Sequence, residues 1–302
     1  MQTGVVVLHF GDPEDTRACL RSLAESHRPA EPLVVVDNGT RTLTAADVTA
    51  LVPAAQFVAL PENLGFAGGC NVGLRRALAA GAESVVLLNN DAQVAPDCLE
   101  ALRQAADGSR VAAVGAKVLA AADPSRLWAA WGNLTWRAAL VEMVGRGEPD
   151  GPRFNTTHDV DTVPGTVMLL TRAALDDVGF FDERFFAYHE DLDWCTRARA
   201  RGWRICFAPN ARATHRGEGS FAVRGHATPA RYLAARNSVL FARKHGNFGQ
   251  RLQLALTVGL SLPLASFQLR RRGQGDAAAL LVRGYWDGVL GRDVPYERLG
   301  LR

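Results

Sequence analysis

Cysteine is scarce. Cys19, Cys70, Cys98, Cys195 and Cys206 make five in 302 residues, an odd number with no Cys-x-x-Cys pair. This excludes a disulfide framework and a clustered zinc site, and points to a reducing, cytoplasmic setting. An excess of one charge is also missing: 34 basic groups against 31 acidic ones leave +3, too little for a protein that works by neutralising nucleic-acid phosphates. No nucleic-acid partner is expected, and any basic effect must be local. The segment before Val5–Leu8 has neither a basic stretch nor a small-residue cleavage site, so no export signal is expected. Internal repeats and low-complexity tracts are lacking as well. Hydrophobic residues at 48% and charged residues at 22% exclude collagen, coiled coil and global disorder, and the length suits two domains or one enlarged domain.

What is present first is alternation. Val5–Leu8, Leu33–Val36, Phe57–Leu60 and Val85–Leu88 are short apolar runs bounded by turn residues, as expected of strands buried on both faces. Amphipathic segments separate them. Asp12-Pro13-Glu14-Asp15 supplies a cap, a proline in the first helical turn and early acidic charge, which predicts a helix to about His27. The first 120 residues therefore read as α/β, a mostly parallel sheet flanked by helices. Residues 120–160 lose the rhythm. Trp128, Trp131 and Trp136 lie in short alternating stretches, read as hairpins, and Gly145–Thr157 reads as a mobile loop. A strand over 162–170, a helix to Gly179, an arginine-rich helix to about Arg201, a strand over 203–207 and a polar loop over Thr214–Ser220 complete the expected order.

Ligands of open parallel sheets bind at the carboxyl ends of the strands, which here read His9-Phe10-Gly11, Asp37-Asn38-Gly39, Glu62-Asn63 and Asn89-Asn90-Asp91. The last group suits a divalent cation beside a phosphate, or simply a capped turn. Asn63 to Gly73 is a glycine-rich entry to a helix, fit to approach an anion or to pack tightly on the sheet. Its spacing differs from the dinucleotide fingerprint, which disfavours a nicotinamide enzyme. Glu190, Asp191 and Asp193 open a helix directly after Phe185-Phe186-Ala187-Tyr188. One of them can be a helix cap, and apolar surroundings suit another to accept a proton. His215 is read as a surface or core residue or a ligand in a loop.

Taken together, VVVDNGT (34–40), ENLGFAGGCNVGL (62–74), LLNNDAQV (87–94), PGTVMLLTR (164–172), GFFDERFFAYHEDLDWCTRARARGW (179–203) and ATHRGEGS (213–220) resemble the family 2 glycosyltransferases, in particular their bacterial rhamnosyltransferase-like branch. The resemblance covers roughly residues 4–245. It implies the GT-A fold, a Rossmann-like α/β architecture with a mostly parallel central sheet and a C-terminal helical extension. The implied division is a catalytic domain over 1–225, with a nucleotide-sugar half (1–120) and an acceptor half (121–225), followed by a helical region over 226–302.

The same resemblance implies an inverting transfer of a sugar from a nucleoside-diphosphate donor to an acceptor hydroxyl in bacterial surface glycan or glycolipid synthesis. dTDP-rhamnose is the favoured donor and a UDP-hexose the next; the acceptor is a glycan or lipid-linked glycan. Asp191 is the implied general base. His9, Phe10, Asp37, Asn63, Gly65, Phe66, Gly68, Asn71, Asn89, Asn90 and Asp91 are implied at the donor, and Gly165, Thr166, Glu190 and Asp193 at the acceptor. Arg216, Ser220, Tyr232, Arg236 and Asn237 are further donor or acceptor candidates. Asp91, His215 and Asn89 would hold Mn2+ or Mg2+, Asn89 standing where the family's D-x-D motif begins with an aspartate. Trp194 is read equally as core or sugar platform. The alternative is a protein of the same fold that binds sugar nucleotides or glycans without catalysis.

Leu252–Leu269 is an uncharged run of 18 residues flanked by arginines. Gln253, Thr257, Ser261 and Gln268 fall on one side of a helix, and Pro263 interrupts it. An amphipathic helix in a membrane interface is preferred to a span, and packing against the catalytic domain or a second subunit is held equal. The protein is thus expected in the cytoplasm, peripheral on the inner face of the plasma membrane; a homo-oligomer stays open.

Overall fold

Odd and even residues of the first strands part company, and that builds the molecule in layers. In β1 (Thr3–His9), β2 (Leu33–Asp37) and β4 (Ser84–Asn89), Val6, Leu8, Val34, Val36, Val85 and Leu87 enter one apolar cluster. Val5, Val7, Val35, Val86 and Leu88 enter the other. A strand's period of two does this without further instruction. The computed structural model describes residues 2–217 and 228–301; Ser220 lies outside them.

Around these strands run α1 (Pro13–Ala24), α2 (Ala45–Leu51), β3 (Gln56–Ala59), α3 (Gly65–Ala79), β5 (Ala92–Val94), α4 (Cys98–Ala106) and β6 (Val111–Ala120). Next come β7 (Asp123–Ala129), β8 (Trp131–Leu134), β9 (Val141–Val144), β10 (His158–Asp159), β11 (Val167–Thr171), α5 (Arg172–Val178), α6 (Glu190–Ala200) and β12 (Arg204–His215). The chain closes with α7 (Thr228–His245), α8 (Phe248–Arg271) and α9 (Gly275–Leu290). The main sheet runs β10-β12-β6-β11-β4-β1-β2-β3, and all but β11 and the edge strand β10 point the same way. Helices α1 and α4 cover one face through Cys19, Leu20, Leu99 and Leu102. Helices α3, α5 and α6 cover the other through Cys70, Leu74, Leu175 and Trp194. The expected α/β sheet with a helical C-terminal region is what the chain forms. Trp194 belongs to the core, its indole N–H donating to the Gly179 carbonyl at 2.7 Å.

Four local expectations change. Strand β3 is half-buried because it is the sheet edge. The strand expected over 162–170 begins at Val167: Pro164 has no N–H to give, and Gly165 donates its own to Asp191. His215 is the last residue of β12, not part of a loop, since Ala213–His215 pairs with both β5 and β6. The Gly145–Thr157 segment is anchored: buried Lys117 donates to Asp150 and Asn155 at 2.8 and 2.7 Å.

Candidate active site

Strand β1 lies between β4 and β2, so the chain leaves it in opposite directions and opens a crevice at the carboxyl ends. A cavity of about 480 Å³ occupies that crevice. Among the described residues, five side chains carry a buried polar atom without a hydrogen-bond partner. Four of them line this cavity: Asn89 Oδ1, Trp128 Nε1, Glu190 Oε2 and His215 Nδ1. Folded proteins satisfy nearly all buried polar groups, so such a concentration marks a place built for a ligand.

One wall comes from the strand ends. Phe10, Asn63, Gly65, Phe66, Asn89, Asn90 and Asp91 line it. Asn63 is held on both sides: its Oδ1 accepts from Asn38 Nδ2 and the Gly65 N–H, and its Nδ2 donates to the Leu301 carbonyl at 2.8 Å. Gly65 has φ +74°, and a Cβ there would stand 2.4 Å from the Phe186 carbonyl oxygen, so only glycine fits. The space it leaves lets the Ala67 N–H donate to that carbonyl at 3.0 Å. Gly69 and Gly73 press against Leu8 and Val6, and Gly68 meets Leu64 of its own turn. The glycine run therefore seats α3 on the sheet.

Several residues expected at the donor lie behind this wall. Asp37 accepts from the Thr40 N–H and hydroxyl and from the Arg41 N–H, which folds the β2–α2 turn on itself. His9 bridges the Thr16 and Thr42 hydroxyls at 2.6 and 2.9 Å, and burial pushes its pKa down. Asn71 clamps Phe181 through its N–H and carbonyl. None of the three lines the cavity.

Asp91 and His215 meet across the crevice. His215 Nε2 and Asp91 Oδ1 are 2.8 Å apart although 124 residues separate them. If Nε2 donates to the carboxylate, Nδ1 keeps a bare lone pair beside the edge of Trp128, whose ring centroid is 4.4 Å from that of the imidazole. A divalent cation would instead be met by the facing atoms, His215 Nε2 without its proton and the Asp91 carboxylate, with the orphaned Asn89 Oδ1 at the end of β4, donor types that suit a cation completing its shell with phosphate oxygens and water. The protein's share is small: among the described residues no three His, Cys, Asp or Glu side chains gather at one point.

The opposite wall is the segment before α6. Phe186, Tyr188 and His189 all have positive φ, at 62°, 71° and 71°, a conformation that bulky residues resist and that recurs at functional sites. Asn237 on α7 holds it. Its Nδ2 faces the carbonyls of Phe185, Ala187 and Tyr188 at 2.7, 2.9 and 2.8 Å. Arg236 adds bonds to the Arg184 and Arg292 carbonyls, and Tyr232 ties α7 to Asp287 of α9. These three residues support the wall without lining it. Arg216 is also off the cavity, paired with Asp15.

The strained segment delivers three carboxylates with different fates. Asp191 accepts from the Gly165 and Leu192 N–H groups at 3.0 and 2.7 Å, yet burial outweighs both and raises its pKa. Glu190 has no partner for Oε2, and burial followed by the Asp191 charge pushes its pKa well up. Asp193 is buried too, which acts to raise its pKa, but hydrogen bonds from His245 and Lys244 and the Arg197 charge pull it below the usual carboxylate value. Asp191 and Glu190 line the cavity with Gly165 and Thr166; Asp193 does not.

Residues 2–236 match the profile described as glycosyltransferase like family 2. The chain belongs to that family. Over 247 residues the glycosyltransferase is 26% identical to a dTDP-rhamnosyl transferase of Shigella flexneri, covering 80% of this chain and 79% of the relative. It is 25% identical over 299 residues to an N-acetylglucosaminyl-diphospho-decaprenol L-rhamnosyltransferase of Mycobacterium tuberculosis, covering 88% and 92%. A mannosyltransferase from Pyrobaculum calidifontis, solved with GDP-Man and Mn2+, superimposes with TM-score 0.60 at 17% identity over 97% of this chain and 88% of its own. That likeness establishes the GT-A fold.

The glycosyltransferase also places residues at the cavity that its sequence did not single out. Asn38 braces Asn63 and the Gly65 carbonyl; its signal was its position beside Asp37 at a strand end. Trp128 and Arg146 come from the irregular region, with the guanidinium 5.5 Å from the Trp128 ring centroid. Val141 and Met143 of β9 add an apolar strip. Tyr188 and His189 belong to the strained segment, where burial lowers the His189 pKa to about 4 and keeps it neutral.

Proposed function

We propose that this glycosyltransferase is an inverting, metal-dependent enzyme. It moves a hexosyl group, with L-rhamnose from dTDP-rhamnose as the best fit and a UDP-hexose next, to an acceptor hydroxyl in surface glycan or glycolipid synthesis. The observation that carries the reading is the pairing of two unlike groups across one cavity: the Asp91–His215 contact on one wall and the buried, raised-pKa Asp191 on the other. Two relatives named as rhamnosyltransferases support the donor, and the decaprenol-linked acceptor in one of those names supports a lipid-linked glycan.

The acceptor oxygen attacks the anomeric carbon on the face opposite the diphosphate, the bond from that carbon to the diphosphate oxygen breaks, and configuration inverts. The acceptor proton passes to Asp191, whose carboxylate is aimed by the Gly165 and Leu192 N–H groups. Burial makes it a stronger base than a surface aspartate, and a positioned base contributes about 10²–10⁴ in rate. Burial and then the Asp191 charge favour the protonated form of Glu190, and its unpartnered Oε2 is the atom that would donate to an acceptor or sugar oxygen. Asp91, His215 and Asn89 would hold the divalent cation, which when bound neutralises the leaving diphosphate as a Lewis acid. Asp37 acts on the nucleobase through the Thr40–Arg41 turn that it shapes.

Calorimetric titration of dTDP, UDP and GDP, with and without Mn2+, tests this. Binding of one nucleotide that requires the metal and disappears in Asp91→Ala is expected. Asp191→Asn should bind that nucleotide as the parent does and lose transfer. A parent protein that binds none of the three overturns the donor reading.

A further inference from the structure

Helix α8 has 24 residues and is about 36 Å long at the standard rise. Only Leu254 and Leu269 on it are buried, the latter in a small cluster with Ala277 and Ala278 of α9. Its outward side carries Phe248, Leu252, Leu256, Leu260, Leu264 and Phe267, nearly all four residues apart, with Phe248 82% and Leu260 81% exposed. Helix α9, packed against α8 through Ala277 and Ala278, exposes large apolar side chains of its own, Trp286 at 60% and Val289. Soluble monomers rarely present so continuous an apolar face to water.

Charge indicates what covers it. From Thr228 to Gly275 there are eight Lys and Arg and no Asp or Glu, so the rest of the chain is net acidic. Arg251, Arg270, Arg271 and Arg272 are exposed at the two ends of α8. In α8 and α9 the acidic residues are Asp276, which is exposed, and Asp287, which is buried and paired with Arg283 and Arg292. An apolar face with basic ends complements an anionic bilayer surface, where leucines enter the acyl boundary and arginines meet headgroups. A second copy of the same basic surface would be repelled.

We propose that α8 and α9 dock the enzyme on an anionic membrane, with α8 lying in the interface. Helix α8 is long and apolar enough to span, but both of its ends are tied to the same body. At the start, Arg251 donates to the Ala242 and Arg243 carbonyls of α7 and Gln253 reaches the Thr135 carbonyl. At the end, Leu269 packs on Ala277 and Ala278 of α9, which returns to bond Tyr232 of α7 through Asp287. Thr135 and Ala138, the latter contacted by the Tyr285 hydroxyl, lie in the loop leading to β9, whose Val141 and Met143 line the cavity. Docking thus sets the β9 side of the cleft toward the bilayer. The docking rests on the exposed face and its charge, independently of the donor and acceptor assigned under the proposed function.

Flotation with phosphatidylglycerol-containing and pure phosphatidylcholine vesicles tests it, with nucleoside-diphosphate binding as the check on folding. The parent should float with the anionic vesicles and bind neutral ones at least tenfold more weakly. Leu256→Glu, Leu260→Glu and Leu264→Glu together, and separately Arg270→Glu, Arg271→Glu and Arg272→Glu, should each weaken anionic binding at least tenfold with nucleotide binding unchanged. A parent that stays off anionic vesicles while binding nucleotide sinks this proposal alone. So does a parent dimer that the leucine replacements split without any vesicle binding, which would assign the face to a second copy. Retention through alkaline carbonate washing would replace interfacial docking by a span.

Discussion

The end of β2 and the start of α6 both carry acidic residues, Asp37 behind one wall of the crevice and Glu190 and Asp191 lining the other, and they treat them in opposite ways. Asp37 gives both carboxylate oxygens to its own turn. Glu190 has a buried oxygen with no partner, and Asp191 is held by two N–H groups yet still finds its charge disfavoured by burial. The first arrangement stabilises the fold and gives up reactivity; the second costs stability and leaves a group ready to exchange a proton. The backbone follows the same division, since Phe186, Tyr188 and His189 are strained immediately before the reactive pair.

Substitutions can break that contrast. Asp191→Asn is expected to lower kcat by about 10²–10⁴ with nucleotide affinity kept; a drop in affinity of similar size would make it a binding residue. Asp193 sits two positions on but belongs to the satisfied class. Asp193→Asn should cost about 3 kcal/mol in denaturant unfolding, the low end for a broken buried pair because Lys244 and His245 retain some contact with water. Asn237→Ala should cost about 1–3 kcal/mol by freeing three carbonyls. It should also lower kcat more than it raises KM, because the base is displaced while donor contacts stay.

Glu190→Gln sharpens the contrast through pH. Glu190 binds its proton more tightly folded than unfolded, so its contribution to stability is complete below the ordinary carboxylate pKa and is lost as pH rises through the raised value. The variant and parent should melt together near the acid end, and the variant should gain in Tm as pH climbs. A constant Tm difference across that range would remove Glu190 from the unsatisfied class. Asp37→Asn should have the smallest effect, about 1 kcal/mol of stability, with a change in KM and little in kcat.

Much of this was legible in the residues. The strand runs, the cap at Asp12, the glycine entry at Gly65 and the acidic start of α6 depend on neighbours within a few positions, and each formed near its expected place. Less legible were the extension of β12 to His215, which required β5 and β6 as partners, and the recruitment of Asn38, Trp128 and Arg146 to the cavity. Asn237 carried a resemblance to a binding element, but its side chain is occupied by the carbonyls of a segment about fifty residues earlier.

Periodicity of two and of 3.6 assigns each side chain to a face as the chain is read, so fold class and the strand ends that gather ligands follow from local order. Satisfaction of polar atoms does not. Whether Glu190 is orphaned or His215 brought to Asp91 depends on groups up to 124 residues apart meeting at hydrogen-bond distance with water excluded. Burial and pairing are properties of the assembled layers, and they decide which of several similar carboxylates can take a proton.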